Sequence, residues 1–248
     1  MGILKNIISF PLSVIQNFFF GLTLVIFDIL QRISRNLFGY ATHKKTVDWM
    51  TYLILFSLRF VGTKIKFHAI SSLPKDVPLI IVSNHQSFFD LPPIGWFFRK
   101  HHPKYVSKIE LGKGIPGISY NLKHGGSVLI NRKDAKQSIT ALTAFGKYIE
   151  KNNYAAIIFP EGTRSKDGIP KPFLESGLKI LIKYVPSAYI VPLTINNAWK
   201  ISVGNSFFRP LGITISITVH EPIAANSMPF DDLFKVVEER IKSTVTVI

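Results

Sequence analysis

Pro78-Leu79-Ile80-Ile81-Val82-Ser83-Asn84-His85-Gln86-Ser87-Phe88-Phe89-Asp90 sets the fold expected of this 248-residue chain. Residues 79–82 form an uncharged aliphatic run, as in a strand buried on both faces within a helix-flanked sheet. The polar residues behind it must then lie where the strand ends. His85 and Asp90 are five positions apart, about 500° of rotation on a regular helix, so a helix would not bring them to one face. They meet only if His85 occupies the turn leaving the strand and Asp90 opens the next helix. An imidazole that removes a proton needs a partner to fix its tautomer and offset the imidazolium charge. The stretch therefore predicts an acid–base pair at a strand end, where open α/β sheets bind ligands.

A second run, Ala155-Ala156-Ile157-Ile158-Phe159, leads into Pro160-Glu161-Gly162-Thr163-Arg164-Ser165. Gly162 permits close backbone approach to a ligand, and Arg164 carries a planar fork suited to phosphate oxygens. One strand end thus holds a candidate base and another a candidate anion clamp.

The remaining chain alternates between the two periodicities. Strands are predicted over 63–69, 79–83, 104–107, 127–131, 154–159, 189–195 and 213–220, and helices over 91–100, 115–122, 135–152, 175–183 and 231–243. The fold class is α/β: a single domain over 62–248 with a central, mostly parallel or mixed sheet of about seven strands flanked by helices. Residues 213–219 alternate apolar and polar, so that strand should be half exposed. The loop 165–173, with Gly168, Pro170 and Pro172, is the expected mobile element beside the site.

Residues 1–61 read differently. Between Ile7 and Leu30 the only ionisable side chain is Asp28, and the run contains Phe18-Phe19-Phe20. About 20 apolar residues can span a bilayer. Pro11 interrupts the early part, however, and Ser9, Ser13, Gln16, Asn17 and Thr23 recur near helical spacing. That polar stripe suits a helix lying in the interface, or packed on a partner, as well as a spanning one. A second apolar helix is expected from Thr46 to Val61, with the basic segment 32–45 between the two.

Composition narrows the function. With no cysteine there is no disulfide, thiolate nucleophile or Cys-based metal site. The histidines are scattered, so no metal is expected. No Gly-x-Ser-x-Gly elbow is present, which disfavours a serine-hydrolase route. Thirty Lys and Arg against 15 Asp and Glu give a net charge of +15. That surplus suits an anionic partner, and its spread along a Phe-rich chain without a nucleic-acid motif points to an anionic lipid surface rather than to nucleic acid.

Taken together these residues resemble the glycerolipid acyltransferase family, and within it the 1-acyl-sn-glycerol-3-phosphate (lysophosphatidic acid) acyltransferases. Asn84, His85 and Asp90 match the family's Asn-His-x4-Asp motif, and Phe159 to Ser165 match Phe-Pro-Glu-Gly-Thr-Arg-Ser throughout. Gly126-Ser127-Val128-Leu129-Ile130-Asn131-Arg132 matches a third motif in part, with Leu129 where an aromatic is usual and Asn131 where Asp is common. Val191-Pro192 matches the fourth. The resemblance covers roughly residues 62–220.

It implies transfer of a fatty-acyl group from a thioester, acyl-CoA or acyl-acyl carrier protein, to the free hydroxyl of a lysophospholipid, in phospholipid biosynthesis. His85 would be the base and Asp90 its partner, with Arg132, Glu161, Gly162, Thr163 and Arg164 binding the acceptor. Lys108 is a further cation near the site. No cofactor is expected. The default acceptor is 1-acylglycerol-3-phosphate, giving phosphatidic acid. Lyso-ornithine lipid or another lysophospholipid is the alternative acceptor. The rival function is a catalytically silent membrane-binding protein of the same fold, and a hydrolase using water is a third option. The expected location is a membrane surface, with the active site facing the cytoplasm.

Overall fold

The computed structural model describes residues 3–202 and 207–246. Among them, eight strands form one mixed sheet: β1 (Lys64–Ala69), β2 (Leu79–Ser83), β3 (Lys104–Lys108), β4 (Val128–Ile130), β5 (Ala155–Ile158), β6 (Tyr189–Asn196), β7 (Thr214–Val219) and β8 (Ile223–Ala224). The order is β1-β7-β6-β2-β5-β3-β4, with β8 added to β6. Strands β6, β2, β5, β3 and β4 run parallel, while β7 is antiparallel to β6 and carries β1 parallel to itself. The expected mixed α/β sheet is present. Its extra strand, β8, has two residues and is too short to leave a pattern.

Strand β2 lies between β5 and β6, and Leu79, Ile80, Ile81 and Val82 are wholly buried. Burying each such side chain stabilises the fold by about 1.5–3 kcal/mol relative to exposure. Its two faces feed two cores. Ile80 and Val82 pack with α4 (Ala135–Asn152), α5 (Glu175–Tyr184) and α6 (Phe230–Ser243). Leu79 and Ile81 pack with α1 (Ile3–Ser57), α2 (Leu91–Phe97) and, through Ile118, α3 (Ile118–His124). Strand β7 alternates as its sequence requires, burying Ile215, Ile217 and Val219.

Helix α1 breaks at Gly39, whose φ of 77° and ψ of −167° lie outside helical space. The halves fold back on each other: Gln16 bonds Ser57, Gln31 bonds Met50, and Phe19 packs on Phe56 and Phe60. The expected pair of apolar helices is therefore a hairpin. Two expectations need correction. The basic segment is helical on both sides of Gly39, which lies within it, and the helix also runs through Pro11.

The hairpin is arranged inside out. Ser9, Ser13, Gln16, Thr23, Gln31 and Ser34 are buried against the protein, while Ile7, Phe10, Ile15, Phe18, Ile29, Leu37 and Phe38 are exposed. The polar stripe is satisfied by protein: Ser9 donates to the Arg209 carbonyl, and Gln31 to the Gly117 carbonyl. Asp28 accepts from the Gly117 N–H. The stretch Ile7–Val61 is also the one among the described residues long and apolar enough to cross a membrane, an 18-residue window of it having a mean hydropathy of 1.8. An outward apolar stripe of this length is what a lipid-facing helix shows.

Only glycine holds the Gly39 backbone region comfortably. Gly39→Ala should cost roughly 1–3 kcal/mol through strain alone, because a Cβ there meets no other atom within 4 Å. Thermal unfolding of the full chain in detergent checks this; an unchanged midpoint would show that the break is not needed.

Candidate active site

The parallel strands deliver their carboxyl ends to one edge of the sheet. β2 ends at Ser83, and Asn84 prolongs its pairing with β6. The Asn84 side chain donates to the Ile195 carbonyl at 2.8 Å and accepts from the Ile195 N–H at 2.7 Å. This double bond imitates one more ladder residue and fixes the exit direction of the chain. His85 then occupies the turn, and a short 3-10 helix, Phe88–Asp90, follows.

Asp90 is fully buried and gathers that turn around one oxygen. Its Oδ2 accepts from His85 Nδ1 at 2.8 Å, from the Gln86 N–H at 2.6 Å and from the Ser87 N–H at 2.8 Å. Ser87 completes a capping box by accepting from the Phe89 N–H. An ionised carboxylate only accepts, so His85 Nδ1 must carry the proton and Nε2 the lone pair. Nε2 makes no hydrogen bond among the described residues, and the ring keeps 18 % of its surface open. The two residues meet as the sequence requires, one in the turn and one in the next helical segment.

The segment 159–165 holds His85 from three directions. The Phe159 ring stacks on the imidazole at 4.2 Å, Glu161 Oε1 accepts from the His85 N–H at 2.7 Å, and the Ser165 N–H donates to the His85 carbonyl at 2.8 Å. The adjacency of β2 and β5 makes these contacts unavoidable, since both segments leave neighbouring strand ends.

Glu161 therefore departs from its expected place. It was expected to bind the acceptor, but it is buried and its second oxygen accepts from the Lys171 N–H at 2.8 Å. Burial pushes its carboxyl above the usual carboxylate range, and the Lys171 and His85 N–H groups partly oppose that. The loop expected to be mobile is tied down as well: Gln86 donates to the Gly168 carbonyl, and the Leu174 N–H to the Pro160 carbonyl. Gln86 also accepts from the Ala198 N–H, so it links this loop to the end of β6.

The cations lie around this core. Thr163 and Arg164 are exposed beside it, and Arg164 makes no ion pair among the described residues. Gly162 turns the chain with φ of 68°, and the Arg132 guanidinium lies 3.5 Å from where a Cβ at Gly162 would sit. Arg132 is carried by a turn in which Asn131 Oδ1 accepts from the Lys133 N–H and Asp134 caps α4. Asn131 thus has a local structural task in this chain. Lys108 ends β3 exposed, in register with Ile130 of β4. The structure therefore brings His85, Asp90, Glu161, Gly162 and Arg132 together, with Thr163, Arg164 and Lys108 exposed at the same edge. Phe159, Gln86 and Ser165 join them without having been anticipated.

An imidazole anchored through Nδ1 on a strand-end turn, with Nε2 unbonded, is the arrangement general-base chemistry requires on a helix-flanked α/β sheet. The chain belongs to the acyltransferase family: the family model described as Acyltransferase matches residues 64–196. It is 31% identical over 163 residues to a chloroplastic 1-acyl-sn-glycerol-3-phosphate acyltransferase of Brassica napus, covering 64% of this chain and 45% of that one. It is 32% identical over 145 residues to the 1-acyl-sn-glycerol-3-phosphate acyltransferase of Helicobacter pylori, covering 57% and 58%. The chain thus spans about half the length of these relatives. The crystal structure of the 1-acyl-sn-glycerophosphate acyltransferase of Thermotoga maritima superposes with a TM-score of 0.79 at 23% identity, covering 96% of this chain and 95% of that one. It shares the fold.

Replacing Glu161 by Gln leaves one oxygen for two N–H donors and turns an amide N–H toward the other. Glu161→Gln should speed amide exchange at Lys171 and at His85. Protection equal to the wild type at both amides would show that Glu161 does not join the two loops.

Proposed function

We propose that this chain transfers a fatty-acyl group from an acyl thioester to the free hydroxyl of a lysophospholipid, with 1-acylglycerol-3-phosphate as acceptor and phosphatidic acid as product. The observation that carries the proposal is the 2.8 Å bond from His85 Nδ1 to Asp90, with Nε2 left unbonded. The similarity to relatives named for that activity supports it.

In this reading the acceptor hydroxyl gives its proton to His85 Nε2 while its oxygen attacks the thioester carbonyl carbon. A neutral alcohol is a poor nucleophile, and such assistance is worth about 10²–10⁴-fold. Asp90 offsets the imidazolium charge while it lasts. Collapse of the tetrahedral species breaks the carbon–sulfur bond, and the departing thiolate takes the proton back from Nε2. The new ester, the thiol and neutral His85 remain. Phe159 keeps the ring from rotating, and Glu161 and Ser165 hold its backbone.

Arg164, Arg132 and Lys108 supply the positive edge for the acceptor's phosphate, and Gly162 and Thr163 the close contacts. The hairpin α1 lies in one leaflet in this reading. Bonds from Ser9, Asp28 and Gln31 to the catalytic domain would be lost if its first half left the domain to span. Phe20 rests on Phe88 and Phe89, so the lipid-facing helix directly overlies the turn bearing Asp90. The membrane face is the cytoplasmic one, where acyl-CoA and acyl carrier protein are found.

His85→Ala should lower acyl transfer by about 10²–10⁴-fold with cooperative unfolding retained; normal activity would remove His85 as the base. Arg164→Ala should raise the KM for the lysolipid much more than the KM for the thioester, measured by radiolabelled acyl transfer. The reverse pattern would place Arg164 on the donor.

A further inference from the structure

The opposite end of β3 carries a second cationic site that the proposed reaction does not use. Lys104, the first residue of the strand, is 4% exposed. Lys108 closes the same strand at the catalytic edge, about 13 Å away by strand rise. A cavity of about 50 Å³ opens beside Lys104, lined among others by Tyr40, Lys44, Asp48, Asn121 and Ser127. Since roughly 10–15 Å³ of such space already admits one water, the cavity has room for a small polar group.

The polar inventory of this site is unbalanced. Lys44 is paired with Asp48. Lys104 has no carboxylate within ion-pair distance among the described residues. Its ammonium donates to the Tyr40 hydroxyl at 2.8 Å, and that hydroxyl meets His102 Nδ1 at 2.8 Å. The Tyr40 and Tyr154 rings face the ammonium at 4.7 Å and 5.2 Å. One of three N–H groups is therefore used, and ring faces do not replace a counter-anion. Burial, then the charge of Lys44, pulls this ammonium down to about 7. The Ser127 hydroxyl already accepts from the Tyr105 N–H at 3.1 Å, so its proton is free to donate.

The cavity's position says what could reach it. Tyr40 follows Gly39 at the hairpin break, and Leu37 and Phe38, 72% and 65% exposed, end the outward apolar stripe there. A helix buried to that point brings the break, and the cavity with it, to the depth of lipid headgroups.

We propose that the cavity at the hairpin break is a second phosphate site, in which Lys104, Ser127 and Asn121 hold the phosphate group of a membrane lipid. Tyr40 and Lys44 of α1 line the same cavity, so its occupant ties the break in α1 to β3 and locks the hairpin on the α/β domain. The site stands apart from the acyl-transfer reading, because neither its residues nor its ligand take part in that reaction.

Thermal unfolding of the full chain in an uncharged detergent tests this, with inorganic phosphate in one arm and micelles containing phosphatidylglycerol in the other. The wild type and Arg164→Ala should both be stabilised, and Lys104→Met should raise the apparent Kd at least about tenfold. A stronger response to phosphatidylglycerol supports the lipid, whereas a response to inorganic phosphate alone upholds the anion site and overturns its lipid occupant. If Lys104→Met fails to fold, Ser127→Ala must weaken the response instead. Equal stabilisation of the wild type and the Lys104 or Ser127 variant, or none in either arm, overturns the site.

Discussion

One carboxylate oxygen organises the turn that leaves β2. Asp90 Oδ2 accepts from the imidazole of His85 and from the N–H groups of Gln86 and Ser87. Two of those bonds build the turn, and the third selects the tautomer. The same atom therefore forms the local fold and fixes the imidazole's orientation. Because Asp90 is wholly buried, its charge is tolerated only while those donors surround it. Any change that opens the turn exposes the carboxylate and releases the ring together.

The second constraint is the adjacency of β2 and β5. It lets the segment after β5 clamp His85 by ring stacking and at both backbone polar groups. Glu161 extends the clamp to the loop through Lys171, and Gln86 extends it to the end of β6 through Ala198. The His85 imidazole is thus fixed to three strand ends, while Arg132 and Arg164, both exposed, have no ion pair among the described residues. On the other side, Arg209 joins the hairpin to the domain. Its buried guanidinium bonds Gln16 and Asn17 of α1 and lies 5.0 Å from the Phe89 ring. The outwardly apolar hairpin and the His85–Asp90 turn are therefore neighbours through a few named side chains.

Much of this was legible in the sequence because its signals are local. The aliphatic run 79–82, the alternation of β7 and the spacing of His85 and Asp90 each follow from a single stretch of chain. α4 spans the expected residues 135–152, and its N-terminus is capped by Asp134. The unforeseen features depend on which strands become neighbours. Nothing in the 159–165 motif says that Glu161 faces a backbone N–H 76 residues earlier rather than the arginine three residues on. The polar stripe of α1 was visible, but its inward direction required knowledge of Arg209 and Gly117 across the fold. Gly39 gives no signal in the sequence, because a lone glycine in a helical pattern is usually tolerated.

The most direct test of the central interaction is the protonation pattern of the His85 ring, observed by nitrogen NMR on the full chain with the ring neutral. The account predicts a proton on Nδ1 and a lone pair on Nε2 in the wild type, with that preference lost in Asp90→Asn. A proton on Nε2 in the wild type, or an identical pattern in both proteins, would contradict it.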